Sequence, residues 1–254
     1  MSVLKIFISK YEESIESARK IQKESDFAVD IIYIEEFYQN NEFENITKED
    51  LIYFLCASPL IFEVIKIIQK KKCNIINKEY FLNNYSKKDV QILLKENNFR
   101  VPQIYLKPNC NDERFPLFCK ENIHTGITIK VYNKSTLDKF FSKFDKKEFY
   151  LEEPIETDSN GLHEFKTYFI NNHVHYKNND YQKNKIIEEI CNKIKEQIFI
   201  NIEIFSIDFI HKNNNYFIID FNPSSGLYAS DSARREFIEY CDSLLIKNGG
   251  VVNV

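Results

Sequence analysis

Two carboxylates and one amide in the last fifty residues of the chain have the types and spacing of metal ligands. Asp220 and Asn222 end the apolar run "YFIIDFN", and Asp208 lies within "FSIDFI", one short turn earlier. Residues i and i+2 of a strand point to the same side, so Asp220 and Asn222 share a face. Such oxygen ligands suit a hard cation like Mg²⁺, which keeps waters for substrate phosphates. Asp and Asn also end strands for structural reasons alone, so this motif leaves both interpretations open.

Lys120 supplies a second chemical signal because it ends an apolar strand. In the run "FPLFCK" its strand neighbours are Phe115, Leu117 and Phe118, and a lysine in a buried strand requires an anionic partner. Gly126 follows closely and, in a chain with only 5 glycines, is compatible with a turn that approaches a phosphate. Most other lysines lie in polar loops, where solvent exposure explains them. The pattern suggests a phosphate group near Lys120.

The composition is that of an ordinary globular protein. The chain has 254 residues, 43% hydrophobic and 28% charged, enough for one large domain or several lobes with their own cores. A net charge of -4 gives no electrostatic case for nucleic-acid binding. The 6 cysteines stand singly, without CxxC spacing, which indicates reduced thiols. No apolar run approaches the roughly 18 to 20 residues of a membrane span. We therefore expect a cytoplasmic protein with no membrane partner, and a homo-oligomer stays open.

The first third of the chain alternates strands and helices. Apolar runs at 3–8, 28–34, 51–56 and 73–77 predict strands, and helical spacing predicts helices at 11–24 and from Pro59. Such alternation implies a parallel sheet, because parallel neighbours need a crossover connection, which is usually a helix. Residues 1–77 are therefore expected to form a small open α/β domain.

The middle of the chain predicts a β-β-α-β layer. An amphipathic helix begins at Lys87 in "KKDVQILLKENNFRVP", and Val90, Leu93 and Leu94 form its apolar face. We expect residues 78–150 to form one lobe and Pro154 to act as the hinge to the next. The remaining segments of this layer are strands at 115–120, 127–132 and 148–155 and a helix at 135–144.

The last hundred residues predict an antiparallel lobe that covers residues 151–254. Short turns join its strands in pairs, which is the connection that antiparallel neighbours allow. A stripe of isoleucines predicts a core-facing helix over 183–199. The other segments are strands at 164–170, 173–177, 203–210 and 216–222 and a final helix at 231–246.

Taken in order, six segments resemble the ATP-grasp superfamily. They run from Asn77 to Leu227 and are "KKDVQILLKENNFRVP", "FPLFCK" with "TGITIKV", "FYLEEPI", "EFKTYFI", "FSIDFI" and "IIDFNPSSGL". The chain is most similar to the branch of ribosomal-protein glutamate ligases and glutathione synthetases. In that branch the last motif is an acid, any residue, Asn, and small residues ending in Gly-Leu. The resemblance implies an α/β fold with α+β lobes, in which an N-terminal open α/β pre-domain precedes two lobes that clasp ATP.

The resemblance also implies which residues bind the nucleotide. Two lysines would contact the ATP phosphates, the segment around Pro154 would hold adenine through backbone and side-chain groups, and a glutamate after it would reach the ribose. In chain order, these residues are Lys87, Lys120, Glu152, Glu153, Ile155 and Glu156.

A further set of residues is implied to act on the substrates and the metal. Lys166 would face the reacting group and share the catalytic role with Lys120, while Ser225 and Gly226 would lie near the acceptor substrate. One or two Mg²⁺ ions, with Mn²⁺ as an alternative, would be held by Asp208, Asp220 and Asn222.

The activity that the resemblance implies is ATP-dependent ligation of a carboxylate to an amine, on small-molecule or peptide substrates. A substrate carboxylate attacks the γ-phosphate, and an amine then displaces phosphate from the acylphosphate, while metal and lysines neutralise the developing charge. This chemistry needs no protein nucleophile, and the sequence shows no Ser/His/Asp or Cys/His pattern. Two alternatives stay open: a kinase of the inositol-phosphate type, whose Phe-Lys-x-Tyr pattern is similar to "EFKTYFI", and a non-catalytic nucleotide-binding module.

Two segments depart from the superfamily pattern. The loop after Lys120 is short and poor in glycine, whereas relatives carry a longer glycine-rich flap over the phosphates. The segment "HYKNNDYQKNKIIEE" lacks the arginine that relatives place near phosphate and substrate. Both departures bear on catalysis more than on nucleotide binding.

Overall fold

The computed structural model describes most of the chain, which divides into two compact units. The described ranges are 2–56, 58–105, 114–123, 126–144, 148–155, 164–177 and 184–247. The first unit comprises Met1–Asn84, Lys166–Ile207 and Asn222–Val254, and the second comprises Tyr85–Phe165 and Asp208–Phe221. The domain boundaries after residues 77 and 150 stay a prediction.

The amino-terminal part of the first unit is a parallel sheet whose crossovers contain helices. Its strands are β1 (Leu4–Ile8), β2 (Val29–Tyr33), β3 (Leu51–Leu55) and β4 (Asn74–Ile75), in the order β2-β1-β3-β4. All three neighbouring pairs are parallel, as the alternating pattern predicts. The helices are α1 (Glu12–Glu24), α2 (Ile34–Gln39), α3 (Leu60–Ile68) and α4 (Lys78–Asn83).

Two of these helices, α2 and α4, are not predicted by the sequence pattern. The apolar run 28–34 assigns Ile34 to a strand, but this residue begins α2, where it is buried together with Phe37. Similarly, α4 buries Tyr80 and Phe81. Each helix has only six residues, which is too short for a helical period to stand out from an apolar run.

A second sheet, with the order β10-β9-β11-β12, contains the later strands. Strands β9 (Glu164–Ile170) and β10 (His173–Tyr176) pair antiparallel, as predicted. In the core of the first unit the ring centroids of Tyr53 and Phe237 lie 4.8 Å apart, which joins the parallel sheet to the last helix. The remaining elements are α7 (Lys185–Gln197), β11 (Ile204–Lys212), β12 (Asn215–Asn222) and α8 (Asp231–Lys247).

The second unit is built on an antiparallel sheet with the order β5-β8-β6-β7. Along β6, residues 117, 119 and 121 are buried and alternate with half-buried Phe118 and Lys120. Leu117 and Cys119 belong to the core that also contains Leu137 and Phe140 of α6, so Lys120 points to the opposite face of the sheet. The elements are α5 (Lys87–Glu96), β5 (Ile104–Tyr105), β6 (Leu117–Glu121), β7 (Thr128–Val131), α6 (Lys134–Lys143) and β8 (Phe149–Glu152).

The cysteines and the helices of the structure can be compared with the expectation of reduced thiols and no membrane span. Among the described residues, Cys56, Cys73, Cys119, Cys191 and Cys241 are free thiols. Within the described ranges, every helix is too short or too polar to cross a membrane.

Candidate functional site

The first turn of α5 presents two lysines. Ser86 caps the helix by accepting a hydrogen bond from the Asp89 amide at 3.3 Å, while the Asp89 carboxylate accepts one from the Ser86 amide at 3.0 Å. This capping box fixes the start of the helix and so puts Lys87 and Lys88 in its first turn. The partial positive charge of a helix N-terminus disfavours cations there, so a nearby carboxylate is needed to offset each ammonium group.

Each of the two lysines has such a carboxylate. Lys88 Nζ lies 2.5 Å from Glu148 Oε1, on a carboxylate side chain that is 65% exposed. Lys87 Nζ lies 3.1 Å from Asp220 Oδ1, and these side chains are only 14% and 30% exposed. An exposed pair is strongly screened by water and salt, whereas a partly buried pair is screened much less. The Lys87–Asp220 pair is therefore the stronger electrostatic interaction.

A second lysine–carboxylate pair connects neighbouring strands of the same unit. Lys120 Nζ of β6 lies 2.6 Å from Glu152 Oε1 of β8, and the two side chains are 12% and 3% exposed. The same ammonium group donates to the Ile219 carbonyl oxygen at 3.3 Å. The anionic partner that the sequence requires for Lys120 is therefore Glu152.

Glu152 is the most unusual of these groups. Burial raises the pKa of its carboxyl, although the neighbouring ammonium groups of Lys120 and Lys87 act in the opposite direction. Asp220 adds to the rise by like-charge repulsion. The Oε2 atom is buried and has no hydrogen-bond partner among the described residues. A buried acceptor of this kind is costly unless a donor reaches it, so it is suited to a ligand N–H group.

Lys87, Lys120, Glu152 and Asp220 together form what we call the four-charge cluster. All four belong to the second unit, and they approach one another through two ion pairs of 3.1 and 2.6 Å. The two ammonium groups can bind phosphate oxygens, and the Asp220 carboxylate can bind a hard cation. The structure thus brings together four of the residues that sequence reasoning proposes for nucleotide and metal.

A cavity of about 470 Å³ lies in the second unit beside the segment Glu153–Ile155. Phe115 and Phe217 give it apolar walls, and Arg114 contributes a positive charge. The Glu153 carboxylate accepts a short hydrogen bond from the Tyr105 hydroxyl, so it is already held in place. A volume of this size falls within the range of small-ligand pockets. Glu153 and Ile155 therefore line a space suited to a partly apolar group.

The proposed metal ligands occupy the strands that the sequence assigns to them. Asp208 lies in β11, while Asp220 and Asn222 lie in β12. The side-chain oxygen of Asn222 already accepts a hydrogen bond from the Ser224 amide at 2.9 Å, which leaves its second lone pair. Within the described ranges, no three His, Cys, Asp or Glu side chains are grouped as metal ligands. The proposed ligands, two carboxylates and one amide, are not a group of that kind, so the metal assignment stays a prediction.

The loop that carries Ser225 and Gly226 is fixed by hydrogen bonds within the first unit. The Tyr53 hydroxyl donates to the Ser225 carbonyl oxygen at 3.2 Å, and the Asn77 amide group donates to the Pro223 carbonyl oxygen at 3.0 Å. Ser225 is 1% exposed, and its hydroxyl has no hydrogen-bond partner among the described residues. The backbone of this loop is therefore held in place while the Ser225 side chain is buried, and the acceptor role of the loop stays a prediction.

Arg234 lies next to this loop, and the sequence alone does not identify it as a buried residue. It is 5% exposed and donates to the Leu227 carbonyl oxygen at 3.2 Å. Its other nitrogens bind both carboxylate oxygens of Glu24 at 2.7 and 2.8 Å, and this pairing raises the arginine pKa. The Tyr228 amide donates to the Ser17 hydroxyl at 3.1 Å. An arginine within an amphipathic helix looks like a surface residue, so only the fold reveals its burial.

The other predicted residues are placed as follows. Lys166 lies in β9, half-buried, in the first unit, and Glu156 lies outside the described residues. A Cβ added at Gly126 would lie 2.5 Å from the Glu121 Cβ, so close packing is sufficient to explain this glycine. The expected short loop is seen between β6 and β7, because β6 ends at residue 121 and β7 begins at 128.

Comparison with known proteins adds the class of fold. No protein-family model matches the chain, and no curated protein matches it by sequence. D-alanine–D-alanine ligase from Bacillus anthracis, solved with ATP, matches with a TM-score of 0.66 at 13% identity, covering 98% of this chain and 99% of that chain. The macrocyclase MdnC from Microcystis aeruginosa, bound to its precursor peptide MdnA, has a TM-score of 0.65 at 12% identity over 96% and 100%. The ATP-grasp ligase PsnB, solved with a minimal precursor, matches with a TM-score of 0.66 at 10% identity, covering 96% of this chain and 98% of that chain.

These matches cover nearly the whole chain at low sequence identity, and they therefore establish its fold. The protein is a mixed α/β protein in which a parallel sheet precedes two further four-stranded sheets. More specifically, it has the ATP-grasp fold, as the resemblance of its motifs predicts.

Proposed function

We propose that the protein is an ATP- and Mg²⁺-dependent ligase that joins a carboxylate to an amine. The observation that carries this proposal is the four-charge cluster, in a chain whose neighbours in fold are ligases. Two half-buried ammonium groups beside a carboxylate are the arrangement that phosphoryl transfer needs, because its catalysis consists largely of positioning and of charge neutralisation.

The residues present fit the nucleotide and the metal that the fold implies. Lys87 and Lys120 bind the phosphates, and the unpaired Oε2 of Glu152 accepts a hydrogen bond from the exocyclic amine of the base. Glu153 and Ile155 line the cavity for the base. Glu156, which lies outside the described residues, is proposed for the ribose on the resemblance of the sequence alone. Mg²⁺, with Mn²⁺ as a substitute, supplies electrophilic assistance to the phosphate when bound by Asp208, Asp220 and Asn222.

The reaction balances without a protein nucleophile. A carboxylate oxygen of the acid forms a bond to the γ-phosphorus, the bond from that phosphorus to the bridging oxygen breaks, and ADP leaves. The amine nitrogen then bonds to the acyl carbon, inorganic phosphate departs, and the amine loses a proton. Lys120 and Lys166 neutralise charge on the transferred group, and Ser225 and Gly226 hold the acceptor.

The substrates of the neighbours in fold support a proposal for the substrate class. D-alanine–D-alanine ligase acts on a small substrate, and PsnB and MdnC are solved with peptide precursors. We propose small-molecule or peptide acids and amines for this chain. Its place in the branch of ribosomal-protein glutamate ligases and glutathione synthetases, its cytoplasmic location and an oligomeric state stay predictions.

An isotope experiment tests the proposed ligase. Carboxylate substrates labelled with ¹⁸O, drawn from amino acids and acidic peptides, are incubated with the protein, ATP, Mg²⁺ and amines. Because the acylphosphate carries a substrate oxygen to phosphorus, one labelled oxygen is expected in the inorganic phosphate for each amide formed. Mass spectrometry of phosphate and amide measures both products.

The same experiment separates the other functions. With an inositol phosphate added as acceptor, a kinase would yield a phosphorylated acceptor and no free phosphate, whereas a binding module would bind ATP without ADP release. Amide formation with unlabelled phosphate would contradict the acylphosphate step. The absence of turnover with every acid and amine, despite ATP binding, would contradict the ligase proposal.

A further inference from the structure

We propose that Lys87 acts as an internal counter-ion of Asp220, so that a divalent cation binds this carboxylate strongly only when nucleotide phosphate draws the ammonium group away. The inference rests on the proposed function, since it assumes that the site receives phosphate and metal. It adds that the affinity for the metal depends on bound nucleotide, which the reaction itself does not require.

The link begins with the geometry of the ion pair. Lys87 Nζ lies 3.1 Å from Asp220 Oδ1, on a carboxylate that a metal would have to share. A cation bound to the same carboxylate would be a near neighbour of the ammonium group. Two like charges at such a distance, in a site only 14% and 30% exposed, repel with little screening by solvent. Metal and ammonium therefore compete for Asp220.

The position of Lys87 on its helix gives the ammonium group a reason to move to phosphate. The first turn of α5 carries the positive end of the helix dipole, and the acidic residue of that turn, Asp89, is held by Ser86 in the capping box. The described ion pair of Lys87 is thus with Asp220 on another element. Phosphate oxygens offer the ammonium group a stronger anionic partner and also suit the helix N-terminus.

Charge balance in the four-charge cluster points the same way. Lys87 and Lys120 neutralise Asp220 and Glu152, so these four groups carry no net charge when all are ionised. A divalent cation added alone would bring two positive charges into a partly buried site, where the Asp208 carboxylate, the remaining charged group among the proposed ligands, would offset one of them. The same cation added with a nucleotide is compensated by the phosphates. Metal affinity should therefore depend on nucleotide, and by linkage nucleotide affinity should depend on metal to the same degree.

Removal of the counter-ion tests this link without any turnover. Binding of Mn²⁺ to the full chain is measured by electron paramagnetic resonance, with and without ADP, and titrations of ADP alone correct for Mn²⁺ bound in solution. In the Lys87→Met variant, Mn²⁺ without nucleotide is expected to bind about tenfold tighter or more than in the wild type. Addition of ADP should then tighten Mn²⁺ binding less than it does in the wild type.

Two variants serve as matched controls. Lys88→Met removes a lysine from the same helical turn, but its partner Glu148 lies outside the four-charge cluster, so Mn²⁺ binding should equal that of the wild type. Lys87→Arg keeps the cation and should preserve the dependence on ADP. Thermal unfolding verifies that each variant is folded, and Lys87→Gln replaces Lys87→Met if the latter is unstable.

The outcomes separate this inference from the proposed function. Equal Mn²⁺ affinity in the wild type and Lys87→Met without nucleotide, with ADP strengthening both alike, would overturn the counter-ion role and leave the ligase proposal intact. Failure of every protein to bind Mn²⁺, even with ADP, would contradict the metal site and with it the proposed function. Tighter binding in Lys87→Met alone supports the link.

Discussion

Two lysines with little exposed side chain, one in each unit, lie in apolar strands and contact carboxylates of a neighbouring strand. Lys5 lies in the apolar strand β1 of the first unit with a side chain 10% exposed, and Lys120 lies in β6 of the second unit at 12%. Lys5 Nζ is 3.0 Å from Asp30 on the neighbouring strand and 3.9 Å from Asp50, just as Lys120 is paired with Glu152. A cavity of about 560 Å³ even borders Lys5. Neither the low exposure of the lysine, nor the presence of a carboxylate partner, nor a cavity beside it is therefore enough to identify a ligand site.

What differs is the state of the carboxylates and the place on the sheet. The Asp50 carboxylate near Lys5 also accepts a hydrogen bond from the Thr47 amide at 2.8 Å, whereas Glu152 Oε2 has no described partner. Lys5 is the second residue of a parallel strand, and ligands of open parallel sheets bind at the opposite, carboxyl edge. A buried lysine therefore indicates a site when its partner is left with unsatisfied hydrogen-bonding capacity.

The largest difference is expected when one carboxylate is removed from the four-charge cluster and one from the surroundings of Lys5. Asp220→Ala should lower the rate of ADP release about a thousandfold or more, because it removes a ligand of the metal that neutralises the transition state. Asp30→Ala, which removes the exposed partner of Lys5, should leave that rate unchanged. Steady-state turnover of both purified proteins measures the difference, and wild-type turnover in Asp220→Ala would refute the metal assignment.

Replacement of each lysine by methionine should separate stability from binding. Lys5→Met leaves the buried Asp50 carboxylate without its cation, which should lower the free energy of unfolding by about 3 kcal/mol. Lys120→Met should have a smaller effect on stability, because Glu152 can take up a proton instead. Its ADP affinity, however, should fall about tenfold or more as a charge-assisted hydrogen bond to phosphate is lost.

Denaturant unfolding and calorimetric titration with ADP measure the two quantities for both variants. The comparison fails if Lys5→Met weakens ADP binding as strongly as Lys120→Met does in a protein that remains folded.

The elements of the fold can be predicted from the sequence, whereas the pairing of its charged residues cannot. Periodicity predicts the parallel sheet, and the motif order predicts the ATP-grasp fold. The apolar context that singles out Lys120 applies equally to Lys5, and only the strand neighbours tell them apart. The partners Lys87 and Asp220 are far apart in sequence, so their ion pair depends on tertiary packing. Burial of Arg234 against Glu24 depends on it for the same reason.

The smallest expected effect is on the pH dependence of the free energy of unfolding. The direction of this dependence should differ between Glu152 of the four-charge cluster and the exposed Glu148. Burial raises the pKa of Glu152 above its ordinary value of 4.5. Such a group stabilises the fold most below that value, and its contribution is lost as the pH rises through the folded-state pKa. Glu152→Gln does not titrate, so its free energy of unfolding should improve relative to the wild type from pH 4.5 upward.

Glu148, the partner of Lys88, should show the opposite sign. Hydrogen bonds from Lys88 and then Asn122 lower its pKa below 4.5, so its contribution is present above that value and is lost as the pH falls through the folded-state pKa. Glu148→Gln should therefore lose stability relative to the wild type as the pH rises through this region. Urea unfolding across the acidic range measures both differences. Curves of equal sign for the two variants would mean that Glu152 is stabilised in its ionised form, and the Lys120–Glu152 and Lys88–Glu148 ion pairs would then be electrostatically alike.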